Sequence, residues 1–194
     1  MSIFKLYLEL GLSHITDLQG YDHILFLITL CAVYSFSQWR SILILITGFT
    51  LGHCTTLILA TLKLINISGD IIEFLIPVTI FITAIANIIY RSENLSKRLQ
   101  IFKYITAIFF GLIHGLGFSN YLKSLLGSES SIIKPLLAFN IGIEIGQIFV
   151  VAIILSFSVL ALYLLKLKKQ DWSFILSGSG LGISLILLIE RFPF

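Results

Sequence analysis

Charge is what this sequence has least of. Only 12% of its 194 residues are Asp, Glu, Lys or Arg, against roughly 25% in an average soluble domain. A soluble chain of this size cannot cover its surface with so few charges. That excludes a soluble globular enzyme, a disordered chain and a basic nucleic-acid-binding protein. Cysteine is scarce as well. Cys31 and Cys54 both sit in apolar runs and no C-x-x-C is present, so neither a disulfide framework nor a thiolate metal site is indicated. Long polar stretches are missing too. The longest connections, about 91–103 and 123–134, leave no room for a soluble catalytic domain. Neither a nucleotide-binding motif nor a strong internal repeat stands out. The N-terminus has no small-residue cleavage site after Lys5, unlike a signal peptide.

What remains is apolar. Mean hydropathy is +1.02 and 57% of residues are hydrophobic, which marks a polytopic membrane protein. A spanning helix needs about 20 mostly apolar residues. Breaks at charges and at Gly, Pro and Asn clusters give seven apolar segments, approximately 3–16, 21–37, 41–62, 71–90, 104–122, 135–165 and 173–190. In lipid every backbone polar group must be satisfied internally, so these are helices. The expected fold is all-α: a polytopic transmembrane helical bundle of six or seven helices, forming one integral membrane domain over 1–194. Pro77 is expected to mark a kink and Pro135 a helix start.

Cations set the expected orientation. Lys5, Arg40, Arg91, Lys97, Arg98, Lys103, Lys166, Lys168 and Lys169 fall on one side. Lys63, Lys123, Lys134 and Arg191 fall on the other. The richer side is read as cytoplasmic. In a plasma (inner) membrane this places the N-terminus inside and the C-terminus outside, with 91–103 and 166–171 cytoplasmic and 15–20 and 123–134 outward.

The sequence carries chemistry where it breaks its own apolar pattern. All four histidines, His14, His23, His53 and His114, lie in or at the edge of apolar segments. Asp22 stands beside His23, and Glu144 lies well inside the sixth segment. An ionisable residue at the bilayer centre costs about 2.5–3.5 kcal/mol on the insertion scale. Such groups are kept where they face a cavity, pair, or hold an ion. Each has a plainer reading: His14 at the interface, Asp22 as a helix N-cap, His53 in a hydrogen-bonded seam with Cys54-Thr55-Thr56, and His114 bonded to a carbonyl. Glu144 shares a helix face with Asn140 and Gln147. The spacings Gly111…Gly115 and Gly142…Gly146 read as close helix packing. At 1.5 Å per residue the six ligand-type residues converge in the outer half of one bundle. Imidazole with carboxylate suits Ni, Co, Zn, Cu(II) or Fe(II) better than K or Na. The competing reading is a proton relay.

Four strings resemble a known family: His14-Ile-Thr-Asp-Leu-Gln-Gly-Tyr-Asp22-His23-Ile-Leu-Phe26, Gly48-Phe-Thr-Leu-Gly-His53-Cys-Thr-Thr-Leu57, Phe110-Gly-Leu-Ile-His114-Gly-Leu-Gly-Phe118 and Phe139-Asn-Ile-Gly-Ile-Glu144-Ile-Gly-Gln147. They are similar to the motifs of the HupE/UreJ family over roughly residues 11–150. Members are small polytopic proteins described as nickel/cobalt permeases, linked to supplying hydrogenase or urease. The resemblance implies transport of a divalent metal. Its polar motifs match here at His14, Asp22, His23, His53, His114 and Glu144.

Three functions compete on the residues. In a permease for Ni, Co or Zn those six residues bind the metal, and Asn140 and Gln147 line its path. An intramembrane zinc hydrolase would act on a lipid or membrane-embedded peptide. Its zinc-bound water would have a pKa near about 7, with Glu144 or Asp22 as general base. The third is a metal-dependent scaffold or sensor. The expected partners are the metal ion and the lipid bilayer, without nucleic acid. A second copy of the chain or metalloenzyme-maturation proteins are further candidates.

Overall fold

The computed structural model describes residues 2–90, 97–126 and 132–193. Among them are helices and no strands. The helices are α1 (Ile3–Thr16), α2 (Asp22–Cys31), a 3-10 turn (Phe36–Gln38), α3 (Trp39–Thr61), α4 (Gly69–Ile89), α5 (Lys97–Leu126), α6 (Ile133–Leu165) and α7 (Lys169–Glu190). Five helical stretches, Phe36–Thr61, Gly69–Ile89, Lys97–Leu122, Ile133–Leu165 and Lys169–Glu190, are long and apolar enough to cross a membrane. Their outward faces carry large apolar side chains such as Ile145, Phe149, Phe157 and Leu164, as lipid-facing surfaces do.

The expected segment 21–37 is not one helix. After Cys31 the chain tightens into turns, with Ala32 N–H donating to Thr29 O and Tyr34 N–H to Cys31 O at 2.9 Å. Ser35 and Gln38 then cap the 3-10 turn reciprocally, Ser35 N–H donating to Gln38 Oε1 at 3.0 Å. Polar Ser35, Ser37 and Gln38 give the backbone partners that a continuing helix would not need. α3 and α6 end at left-handed residues, Lys63 (φ 60) and Lys166 (φ 52). Pro135 sits in the first turn of α6, as expected. Pro77 lies inside α4. It has no N–H to give to the carbonyl of Glu73, which loses its helical partner.

Two helix pairs pack backbone to backbone. A Cβ on Gly52 of α3 would strike the carbonyl oxygen of Ile108 in α5, and one on Gly111 of α5 would strike that of Phe49 in α3. Likewise Gly11 of α1 abuts the Phe139 carbonyl in α6, and Gly142 of α6 abuts that of Leu8 in α1. Only glycine permits such approach, which is how small-xxx-small seams bind helices without a hydrophobic drive. Both pairs run parallel internally.

The end of the bundle where α5 finishes and α6 begins is called upper here. Tyr7 Oη donates to Leu125 O at 3.4 Å near that end. Farther along α1, the His14 ring lies 4.1 Å from Phe118, so α1 descends against rising α5. α2 starts at the level of His114, with His23 5.3 Å from it. Just past the end of α2, Tyr34 Oη donates to Gln100 Oε1 at 3.3 Å near the lower end. α1 and α2 therefore follow one another downward, interrupted at 17–21. The start of α1 and the finish of α7 both lie at the upper end, where Phe192 meets Phe74 of α4 at 5.7 Å. The connections 91–96 and 127–131, within the expected loops 91–103 and 123–134, lie outside the described residues.

Candidate functional site

The interruption between α1 and α2 brings four histidines together. α1 supplies His14 two residues before its end, α2 supplies His23 as its second residue, and α3 and α5 supply His53 and His114 beside their glycine seam. The ring centres lie 4.6 Å apart for His14–His23, 5.8 Å for His14–His53, 5.9 Å for His23–His53 and 5.3 Å for His23–His114. Phe26 and Phe49, stacked at 4.9 Å, floor the cluster, and Phe118 stacked on Phe139 at 5.1 Å walls it.

Burial without partners distinguishes these rings. His14 Nε2, His23 Nε2, both nitrogens of His53, and His114 Nδ1 are buried and make no hydrogen bond. Buried polar atoms are normally satisfied, and each one that is not calls for a ligand or water. The tautomer of His114 follows from proton counting. Thr79 Oγ1 has one proton, which it donates to Ile76 O at 2.7 Å. Its 2.9 Å contact with His114 Nε2 then requires that nitrogen to donate. His114 Nδ1 is left with a lone pair facing inward. This is the way a hydrogen-bonded partner orients a ligating imidazole.

Asp22 opens α2 but does not cap it, contrary to the N-cap reading. The N-cap residue is Tyr21. Asp22 Oδ2 accepts from Arg191 Nη1 at 2.9 Å, while its Oδ1 is buried without a partner. A cavity of about 300 Å³ leads to the cluster, lined by His14, Asp17, Gly20, Asp22, His23, Glu73, Ile76, His114, Gly117, Phe118 and Arg191. Three carboxylates against one guanidinium leave its mouth negative. Asp17 also shapes the break, accepting from Gln19 N–H at 2.9 Å.

Glu144 is not joined to the histidines. Its Oε1 accepts from Thr47 of α3 at 2.6 Å, and the Gln147 side-chain amide lies 2.8 Å from Thr50 Oγ1. Asn140 Nδ2 donates to Leu136 O of its own helix at 2.7 Å. Glu144 and Gln147 thus form an α3/α6 seam. Glu144 Oε2 and Asn140 Oδ1 are buried and unpartnered. The residues that sequence reasoning missed are Thr79, Glu73, Asp17, Arg191 and Thr47. Glu73 carries the same signal as Glu144, a carboxylate inside an apolar run. The pairing of Arg191 with Asp22 crosses almost the whole chain and leaves no local trace.

A family model described as HupE / UreJ protein matches residues 1–189. The chain belongs to the HupE/UreJ family. No curated protein and no solved structure matches it. Together with five helices able to cross a bilayer, membership marks a membrane protein.

Two imidazoles on one ion, each bonded at about 2.0–2.1 Å, place their ring centres roughly 5 Å apart. The spacings in this HupE/UreJ chain bracket that figure. Among the described residues, however, no three His, Cys, Asp or Glu side chains enclose a common point tightly enough to hold an ion as they stand. The histidine nitrogens are gathered and unsatisfied, but no three of them converge on one centre.

Proposed function

We propose that this HupE/UreJ protein is a permease for a divalent transition metal of the nickel/cobalt type, with the four-histidine cluster as the cargo site. The unpartnered buried nitrogens carry this reading. A histidine cluster kept for packing would have its nitrogens bonded, whereas a cluster for a passing cation presents lone pairs. In this reading His14, His23, His53 and His114 supply nitrogen donors, and Asp22 supplies an oxygen through Oδ1. Neutral imidazoles suit Ni, Co and Zn. The negative mouth draws cations inward, and Arg191 holds Asp22 in place. Glu144, with Asn140 and Gln147, lies beyond the histidines on the α3/α6 seam, where it serves the path rather than the resting site.

A zinc hydrolase would need a free general base beside the metal-bound water. Asp22 Oδ2 is bonded to Arg191 and its Oδ1 is assigned to the cargo, while Glu144 Oε1 is bonded to Thr47, so neither is left as that base.

We also infer that α1 and α2 are halves of one broken passage. At 1.5 Å per residue they measure about 21 and 15 Å. Neither alone crosses about 30 Å of hydrocarbon, and end to end they do. Six passages follow in place of seven, with both termini at the upper end instead of on opposite sides. With Lys5 at the upper end, the described residues place seven Lys and Arg below and five above, so the lower end is cytoplasmic.

The test is nickel uptake into proteoliposomes. Wild type is expected to accumulate the ion, and His53→Ala to lose both binding and uptake. Protein that keeps tightly bound metal yet shows no uptake of nickel, cobalt or zinc under any imposed gradient contradicts the permease reading.

A further inference from the structure

The two glycine-sealed helix pairs are the same object built twice. Gly11-Leu12-x-His14 in α1 matches Gly111-Leu112-x-His114 in α5, and Phe49-x-x-Gly52 in α3 matches Phe139-x-x-Gly142 in α6. Similarity this short would mean little alone, but the contacts repeat atom for atom. A Cβ on Gly111 would strike Phe49 O and come within 2.9 Å of Phe49 C and 3.1 Å of His53 N; one on Gly11 would strike Phe139 O, within 2.9 Å of Phe139 C and 3.1 Å of Ile143 N. From the other side, Gly52 abuts Ile108 O with Leu112 N at 2.9 Å, and Gly142 abuts Leu8 O with Leu12 N at 2.9 Å. The helix after each Phe-x-x-Gly helix, α4 or α7, packs on its counterpart.

The pairs point opposite ways. Tyr7 of α1 meets Leu125 of α5, and His14 meets Phe118, so the numbering rises in one helix as it falls in the other. Two equal units of opposite sense are related by a two-fold axis lying across the helices, the arrangement of inverted-repeat transporters, whose sites lie at the repeat interface. Here the equivalent histidines His14 and His114 meet there, 4.6 and 5.3 Å from His23. The halves differ where selectivity requires it. His53 is matched by Ile143, and Cys54 by Glu144. α5 also runs on past His114 to Leu126, whereas α1 stops at Thr16 and leaves the break beside the site.

We propose that the chain is an inverted repeat, α3/α5 against α1/α6, and that the two rigid pairs rock about the histidine cluster so that it opens in turn to either side. The rocking rests on the permease reading above; the repeat does not. Glycine seams lock each pair internally. Between them, α3 and α6 share a hydroxyl–carboxylate and a hydroxyl–amide contact and, among the described residues, no glycine seam.

Spin-label distances test this in full-length protein in lipid nanodiscs, with Cys31 and Cys54 replaced by Ser. Exposed positions Leu62 and Ile133 report across the halves at the upper end, Arg40 and Leu165 across them at the lower end, and Arg40 with Ile101 within one half. The expected result is one distance within the half and two populations across it. Adding Ni²⁺ should shift the upper and lower pairs in opposite directions. A single unchanged distance at both ends, in protein that still binds Ni²⁺, overturns the rocking and leaves the cargo site intact. Two populations across the halves in protein that binds no Ni²⁺ support the rocking repeat and overturn the cargo reading. A distance within the half that changes with Ni²⁺ overturns the rigid pairs.

Discussion

One hydroxyl proton decides which nitrogen of His114 is free. Because Thr79 gives that proton to Ile76 O, His114 must donate from Nε2 and keep its Nδ1 lone pair. Thr79→Val keeps the shape and removes the acceptor. Loss of such a supporting bond typically costs 10–100-fold in metal affinity, so nickel titration by calorimetry is expected to show weakening of about that size. Unchanged affinity would mean His114 is not a ligand. Glu144→Gln should behave differently. Its carboxylate bonds to Thr47 rather than to the cluster, so binding should stay within a few-fold of wild type while proteoliposome uptake falls; a collapse of binding would place Glu144 in the resting site after all. The histidines were legible in the sequence because ionisable groups in apolar runs are costly and need a reason. The separation of Glu144 from them was not, since helical depth is readable from sequence but lateral position is not.

The helices owe their pairing to glycine. Gly52→Ala and Gly142→Ala each put a methyl against a backbone oxygen that cannot swing aside. Overpacking of this kind costs typically 1–3 kcal/mol, and thermal unfolding in detergent should show comparable losses for both. Gly178→Ala, where a Cβ meets nothing within 4 Å, should leave the midpoint unchanged. Equal stability of all three would remove the seams as the basis of pairing. The long helices follow from unbroken apolar runs. The run 21–37 misled because composition alone does not reveal that Ser35 and Gln38 cap a new turn. Nor did the sequence disclose the repeat: the equivalent helices follow in the same order, α1, α3, α4 and then α5, α6, α7, but their matching residues are few and α2 has no counterpart.

For the whole molecule, the proposed broken first passage predicts both termini on one side. Tags at the two ends are expected to be reached together by an impermeant reagent from outside, and a cysteine at Lys168 only from within. Opposite accessibility of the two tags would restore the seven-passage arrangement. The central claim is that four histidines from four helices hold the cargo. X-ray absorption at the nickel edge, on protein loaded with one equivalent, tests it most directly. The account expects a nitrogen and oxygen first shell with the outer-shell scattering of three or four imidazoles, reduced in His53→Ala. A spectrum without imidazole scattering, or one unchanged in that variant, would contradict it.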